Sequence, residues 1–246
     1  MKIEEFILDK EHFISYKFPI GTALYDEHNS LNKILVKIID ELEEKLKKSK
    51  LKKSGSGGTN TKSILTNHFN RYNIFDYEFI PEIKLFKTWV TKQIFNFIGQ
   101  ILKYNNKSVY ISCWANKLGH LDCLDTHIHT PLNGYMGFSS HYDVAIPDEY
   151  CYTKYESPLL ESYRDENVFL GKNKAGRFTI ISNKQPHSTT PVRHPNKYRY
   201  TLGMDIFLCP DEERDVFCEL YNYNHVQKLD KPEDNKDETI TTFHVK

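Results

Sequence analysis

The sequence has little cysteine: Cys113, Cys123, Cys151, Cys209 and Cys218 are the five in 246 residues. They form no C-x-x-C pair and their number is odd, which argues against a disulfide framework and for free thiols in a reducing compartment. Long apolar runs are also missing. The N-terminal stretch MKIEEFILDKEHF has no uninterrupted apolar segment of the signal-peptide kind, and no run approaches a membrane span. An excess of charge of either sign is absent as well. With 33 basic and 33 acidic residues the formal net charge is +0, so attraction of the whole surface to nucleic acid is not indicated, although a local patch stays open. The expectation from these absences is a soluble, cytoplasmic protein without a membrane partner. The Gly/Ser-rich stretch 54–63 lacks G-K-[ST] and does not follow a strand, which excludes a phosphate-binding loop. Asn106-Lys107-Ser108 spells a glycosylation sequon that carries no weight without a secretion signal. There is no internal repeat.

Aromatic residues are plentiful. Fifteen Phe and 16 Tyr offset a modest hydrophobic fraction of 39% and can fill a sizeable core. Residues 12–26 predict one or two strands interrupted near Pro19-Ile20-Gly21. Leu31, Ile34, Leu35, Ile38, Ile39, Leu42 and Leu46 then recur with the helical period, with Ser30 as N-cap and Glu41/Lys45, Glu43/Lys47 and Glu44/Lys48 as i,i+4 pairs. The helix runs out in the lysine-rich segment 45–53, and a flexible loop is expected over 45–63. A short aromatic strand is expected at 74–80. Pro81 opens a second helix whose buried side carries Ile83, Phe86, Val90, Ile94, Phe97, Ile98 and Ile101.

From Ser108 the period changes to two. VYISCWANKL, GYMGFSSHYDVAI, GRFTIIS and YRYTLGMDIFLC read as strands separated by turns. Helices first and strands afterwards give an α+β class, with helices buttressing one face of a β-sandwich or barrel. The expected organisation is an N-terminal helical extension with flanking strands (1–107), a β core (108–210), and a C-terminal segment with a charged tail (211–246).

His127-Ile128-His129 places two imidazoles at i and i+2, on one side of an extended chain, where both can reach one metal ion. His187, after a strand and a turn with Pro186, is the candidate third ligand. Arg199 and Thr201 share a face of the next strand, so a guanidinium and a hydroxyl can together grip a carboxylate. Each feature alone is commonly structural; their order and spacing carry the reading.

Residues 108–208 resemble the catalytic core of the 2-oxoglutarate/Fe(II) oxygenase superfamily, in particular its bacterial and phage group. The resemblance lies in Trp114-Ala115-Asn116, Gly119, the H-x-H pair, the strand FSSHYDVAIP ending at Pro147, Gly176-Arg177-Phe178, His187, and the R-x-T of Arg199 and Thr201. The FPIGTALY segment before the first helix resembles the group's N-terminal extension. The resemblance implies a double-stranded β-helix, a jelly-roll or cupin-like barrel. It implies Fe(II) held by His127, His129 and His187, and 2-oxoglutarate held at its far carboxylate by Arg199 and Thr201, with Asn116 also touching it. The activity implied is that of a dioxygenase, a hydroxylase consuming O2 and 2-oxoglutarate and releasing succinate and CO2.

The pattern departs from its norm at one position. The usual iron site has two histidines and a carboxylate, H-x-D…H, and here His129 stands in the place of the Asp. Either the three histidines form the site, which is the favoured reading, or His141-Tyr142-Asp143 supplies a literal H-x-D on the next strand. Asp125 is a candidate for fixing a histidine tautomer or else a solvated loop residue. Trp114 reads as packing, and Tyr135 and Tyr142 as candidates to close the pocket. Two other functions compete. One is a cupin-type metalloenzyme, weakened by the lack of a glutamate soon after His129. The other is a non-catalytic binding module on the same barrel, with the lysines at 45–53 as a tether. Segment 148–168 is expected to form a lid that influences substrate choice.

Overall fold

The computed structural model describes residues 1–8, 16–49, 60–102, 108–129, 137–156, 168–220 and 225–232. Among these residues, ten strands form two antiparallel sheets. The larger has the order β1 (Lys2–Leu8), β2 (Tyr16–Leu24), β7 (Arg177–Ser182), β4 (Gly137–Ala145), β9 (Arg199–Cys209), β3 (Ser108–Leu118), β10 (Gln227–Leu229). The smaller has β5 (Tyr152–Glu156) between β6 (Val168–Lys172) and β8 (His187–Thr189). Strands from before residue 108 and after residue 210 thus join the same sheet as the central ones.

Helices α1 (His28–Lys48) and α2 (Pro81–Ile101) cover one face of the large sheet, over β4 and β7 respectively. Alternation along the strands decides what they meet. Leu202, Met204, Ile206 and Leu208 of β9, with Phe138 and Tyr142 of β4 and Phe178 and Ile180 of β7, face Leu35, Ile39, Phe86, Val90 and Ile94 in one continuous core. Tyr142 belongs to this helical side, where its hydroxyl donates to Asn32 Oδ1 at 2.9 Å, so it does not close a pocket. Tyr135 lies outside the described residues. Lys117 ties β3 to α1 through Asp40 and Glu43, both at 2.8 Å.

The helix face reads from the sequence almost residue for residue, with Leu31, Leu35, Ile38, Ile39, Leu42 and Leu46 buried. Its start does not. α1 begins at His28, and Ser30 sits inside the first turn donating to Glu27 O at 3.0 Å rather than capping. The earlier start follows from a tight turn. His28 N and Nδ1 both reach Tyr25 O, and Gly176 (φ 85°) packs so closely on His28 that a Cβ there would meet the ring at 2.6 Å. Lys47 pairs with Glu43 at 3.3 Å and with Glu44 at 3.0 Å. α2 has Pro81 in its first turn, as expected.

Residues 74–80 are not a strand. Ile74–Tyr77 form a short 3-10 helix because buried Asn73 accepts from Phe75 N at 3.0 Å and donates to Ile111 O and His225 O. Side-chain capping of this kind competes with the extended form that the aromatic residues favour. β2 runs unbroken through Pro19, which lies before the Gly21–Leu24 stretch that pairs with β7. With a neighbour on one side only, the missing N–H is tolerated. Of the loop expected over 45–63, residues to Lys48 belong to α1, Thr61 and Ser63 are buried, and 50–59 lie outside the described residues. Within the segment expected as a lid, 152–156 form β5 at the centre of the small sheet, and 157–167 lie outside the described residues. Residues 227–229 of the expected tail region form β10. No described helix is long and apolar enough to cross a membrane.

Phe86 joins both helical layers to the sheet, with ring centroids 5.5 Å from Tyr25, 6.1 Å from Phe75 and 4.6 Å from Tyr142. Phe86→Ala is expected to lower unfolding stability by about 3–5 kcal/mol. Urea denaturation checks this as a lower midpoint at unchanged slope.

Candidate metal centre

The other face of the large sheet turns toward the small one. On β9 this face carries Arg199, Thr201, Gly203 and Asp205, flanked by Asn116, Trp114 and Ser112 on β3 and by Asp143, His141 and Ser139 on β4. Arg199 crosses to the small sheet, donating to Tyr152 O at 3.4 Å and Thr153 Oγ1 at 3.3 Å. Beside it Phe18, Ile20 and Ile181 pack on Tyr155.

Residues 127–129 reach this space from the chain that follows β3. His127 and His187 exchange backbone hydrogen bonds, each N–H to the other's carbonyl at 3.0 Å, and His129 N donates to Asn183 O at 2.9 Å. The first pair is an antiparallel bridge, which sets two side chains directly opposite each other. His129, two residues along, falls on the same side. The three rings have centroids 4.5, 5.0 and 5.1 Å apart, and one nitrogen from each lies within 4.8 Å of the others.

Tautomers follow from the partners. Nδ1 of His127 lies 2.7 Å from Asp125 O, and Nδ1 of His187 lies 2.9 Å from Gln185 O. A carbonyl only accepts, so both Nδ1 atoms carry the proton and both Nε2 atoms keep a lone pair. Nδ1 of His129 meets Asp205 Oδ1 at 2.6 Å, with the same result. Nε2 of His129 is buried with no hydrogen-bond partner. An unsatisfied acceptor among two further imidazole lone pairs is what a metal ion completes, so these residues fit one. Burial, and then the neighbouring His129, push His127 down to about 4. Burial, then His127 and His129, push His187 well below its usual value. At neutral pH both rings are uncharged, the form that ligates a metal.

The literal H-x-D is differently engaged. Asp143 is fully buried and accepts from Asn173 Nδ2 at 2.9 Å and Lys174 N at 3.0 Å. Among the described residues, the group of three or more side chains able to share a metal is His127, His129 and His187.

Thr201 and Asn116 lie opposite each other, and Asn116 Nδ2 donates to Thr201 Oγ1 at 3.2 Å while its Oδ1 accepts from Thr66 at 2.6 Å. Arg199 is 2% exposed, its Nε has no partner, and no ion pair among the described residues includes it. Burial lowers its pKa and Asp143 opposes that shift; the guanidinium stays charged. Near it a pocket is lined by Thr22, His141, Tyr155, Arg177 and Thr179.

Around the cluster, Asp125 and Trp114 are named from the sequence, as a tautomer-fixing candidate and as packing, and only Asp205 escapes that reading. Asp125 holds His127 through its backbone carbonyl, not its carboxylate. Trp114 stacks on His129 at 5.9 Å and 25°, over Gly203, where a Cβ would meet the indole at 2.7 Å. Asp205 shares a face of its strand with Arg199 and Thr201, and that parity was its one signal in the sequence.

Comparison with family models and with curated protein sequences finds no match. Solved structures do match. The non-haem α-ketoglutarate-dependent carbocyclase SnoK of nogalamycin biosynthesis aligns with a TM-score of 0.52 at 11% identity, over 88% of this chain and 90% of that one. The fold is shared with solved 2-oxoglutarate-dependent oxygenases. A Pseudomonas putida prolyl-4-hydroxylase aligns at 0.51 and 8% identity over 78% and 92% of the two chains. A Trichoplax adhaerens prolyl hydroxylase, solved with a hypoxia-inducible factor peptide, aligns at 0.51 and 14% over 80% and 86%. The shared fold and the histidine cluster are independent observations on one chain.

His129→Ala is expected to abolish stoichiometric binding of a divalent metal, while Asp143→Asn retains it. Equilibrium dialysis of the folded variants, with metal counted per chain, separates the two candidate sites.

Proposed function

We propose that this protein is an Fe(II)- and 2-oxoglutarate-dependent dioxygenase that hydroxylates an unidentified substrate with release of succinate and CO2. The observation that carries the proposal is Arg199. Among the described residues no carboxylate lies in ion-pair reach of this buried guanidinium, with Asp143 acting on it only from farther away, and such a group is costly unless an anion completes the site. It stands on the sheet face that also bears Asp205, the partner of His129.

In this reading His127, His129 and His187 hold Fe(II) through Nε2. Arg199 receives the far carboxylate of 2-oxoglutarate, a planar group suited to its fork of donors. Thr201 adds a hydroxyl, oriented by Asn116, so Asn116 acts on the co-substrate through Thr201. Iron, when bound, couples oxidative decarboxylation of 2-oxoglutarate by O2 to oxidation of the substrate. Two facing antiparallel sheets with α1 and α2 against the larger one support reading the scaffold as a double-stranded β-helix. A cytoplasmic site of action suits the five free cysteines. A cupin-type enzyme would use the three histidines as well, but it leaves Arg199 without an anion. A binding module leaves both Arg199 and the open imidazole nitrogens without a purpose.

Anaerobic addition of Fe(II) and then 2-oxoglutarate is expected to give a visible charge-transfer band that requires both. Arg199→Ala should raise the Kd for 2-oxoglutarate by roughly 30-fold or more, from the loss of about 2 kcal/mol or more at a buried charge pair. Iron binding without the band, or an unchanged Kd in the variant, would overturn the proposal.

A further inference from the structure

The three histidines are not held alike. His127 and His187 each donate Nδ1–H to the backbone carbonyl two residues earlier. His129 alone uses a side chain, the carboxylate of Asp205, which comes from β9, a strand remote in sequence from residue 129. The contact of 2.6 Å is the shortest of the three, and the two side chains are 13% and 4% exposed. A carboxylate placed so deep is expensive to desolvate and is kept where its charge has a purpose. β9 fixes it from the backbone, between Ser112 of β3 and Ser139 of β4. Trp114 covers the face of the same imidazole, so His129 is pinned both at its edge and on its face.

Charge gives the second half of the argument. A site of two histidines and a carboxylate brings one negative charge to the metal; three neutral imidazoles bring none. We infer that Asp205 is a positioning residue that restores this charge one hydrogen bond out, and that it holds His129 in the tautomer whose Nε2 faces the metal. His129 and Asp205 together then stand in for the carboxylate ligand, with the charge displaced from the ligand atom to the far edge of the ring. The inference rests on the proposed metal role of the three histidines. It concerns Asp205 alone and can fail while that role survives.

The test uses Co(II) alone as the probe, titrated anaerobically into the full chain and followed by its visible absorption. Long-range 1H–15N NMR of the metal-free protein reads the His129 tautomer. The variants are Asp205→Asn, Asp205→Ala and His187→Ala, with circular dichroism as the folding control. Wild type is expected to bind one equivalent and His187→Ala none. Asp205→Asn can still accept from Nδ1–H but lacks the charge. It should keep the tautomer and bind Co(II) about 10-fold more weakly. Asp205→Ala should lose the Nδ1–H tautomer and bind nearer 100-fold more weakly, the range for loss of a partner behind a ligand. If Asp205→Ala does not fold, the near-isosteric Asn variant decides through its Co(II) affinity. Affinities within twofold of wild type in the folded Asp205 variants, with His187→Ala abolishing binding, overturn the role of Asp205 and leave the metal centre intact. Absence of Co(II) binding by wild type, or its persistence in His187→Ala, overturns both.

Discussion

Strand β9 is hydrogen-bonded along both edges, to β3 and to β4, and is buried on both faces. Its register is the constraint from which the site follows. Odd positions from Arg199 to Asp205 look toward the small sheet, and even positions from Leu202 to Leu208 look into the helical core. A slip of one residue would send Arg199 and Asp205 into that core and bring Leu202 and Ile206 against the histidines. Neither arrangement has an intermediate. Apolar packing of the helices on one face therefore specifies the chemistry on the other.

The interior between the sheets buries polar side chains that bond to one another. Asp143 takes two donors from Asn173 and Lys174 N, and Asn116 links Thr66 to Thr201. Buried polar atoms without a partner near the histidines include Asn183 Nδ2 and Gln185 Oε1, and two others, Nε of Arg199 and Nε2 of His129, belong to groups of the candidate site. One is a cation that calls for an anion and the other a lone pair that calls for a Lewis acid. Under the proposed function, a metal chelated by a dicarboxylate completes both.

Much of this was legible because strands repeat every two residues. That period places His127 with His129, and Arg199 with Thr201, without any knowledge of tertiary structure. The helical stripe from Leu31 to Leu46 was readable for the same kind of reason. Asp205 was not, because it lies 76 residues from His129 and no spacing rule connects the two. The region at 74–80 misled because its aromatic composition favours strand locally, whereas buried Asn73 reaches Ile111 and His225 and bends it into a helical turn. The start of α1 was displaced by a similar long-range cause, the packing of Gly176 on His28.

The indole over His129 has an optical consequence. The chain has two tryptophans. Trp89 is partly buried in the helical core near Tyr25, 5.0 Å away, and Phe178, while Trp114 lies against a ring of the histidine cluster. Half of the indole chromophores are thus in contact with that cluster and half are remote from it. A paramagnetic occupant would darken one emitter and spare the other, so the protein carries its own reporter and internal reference.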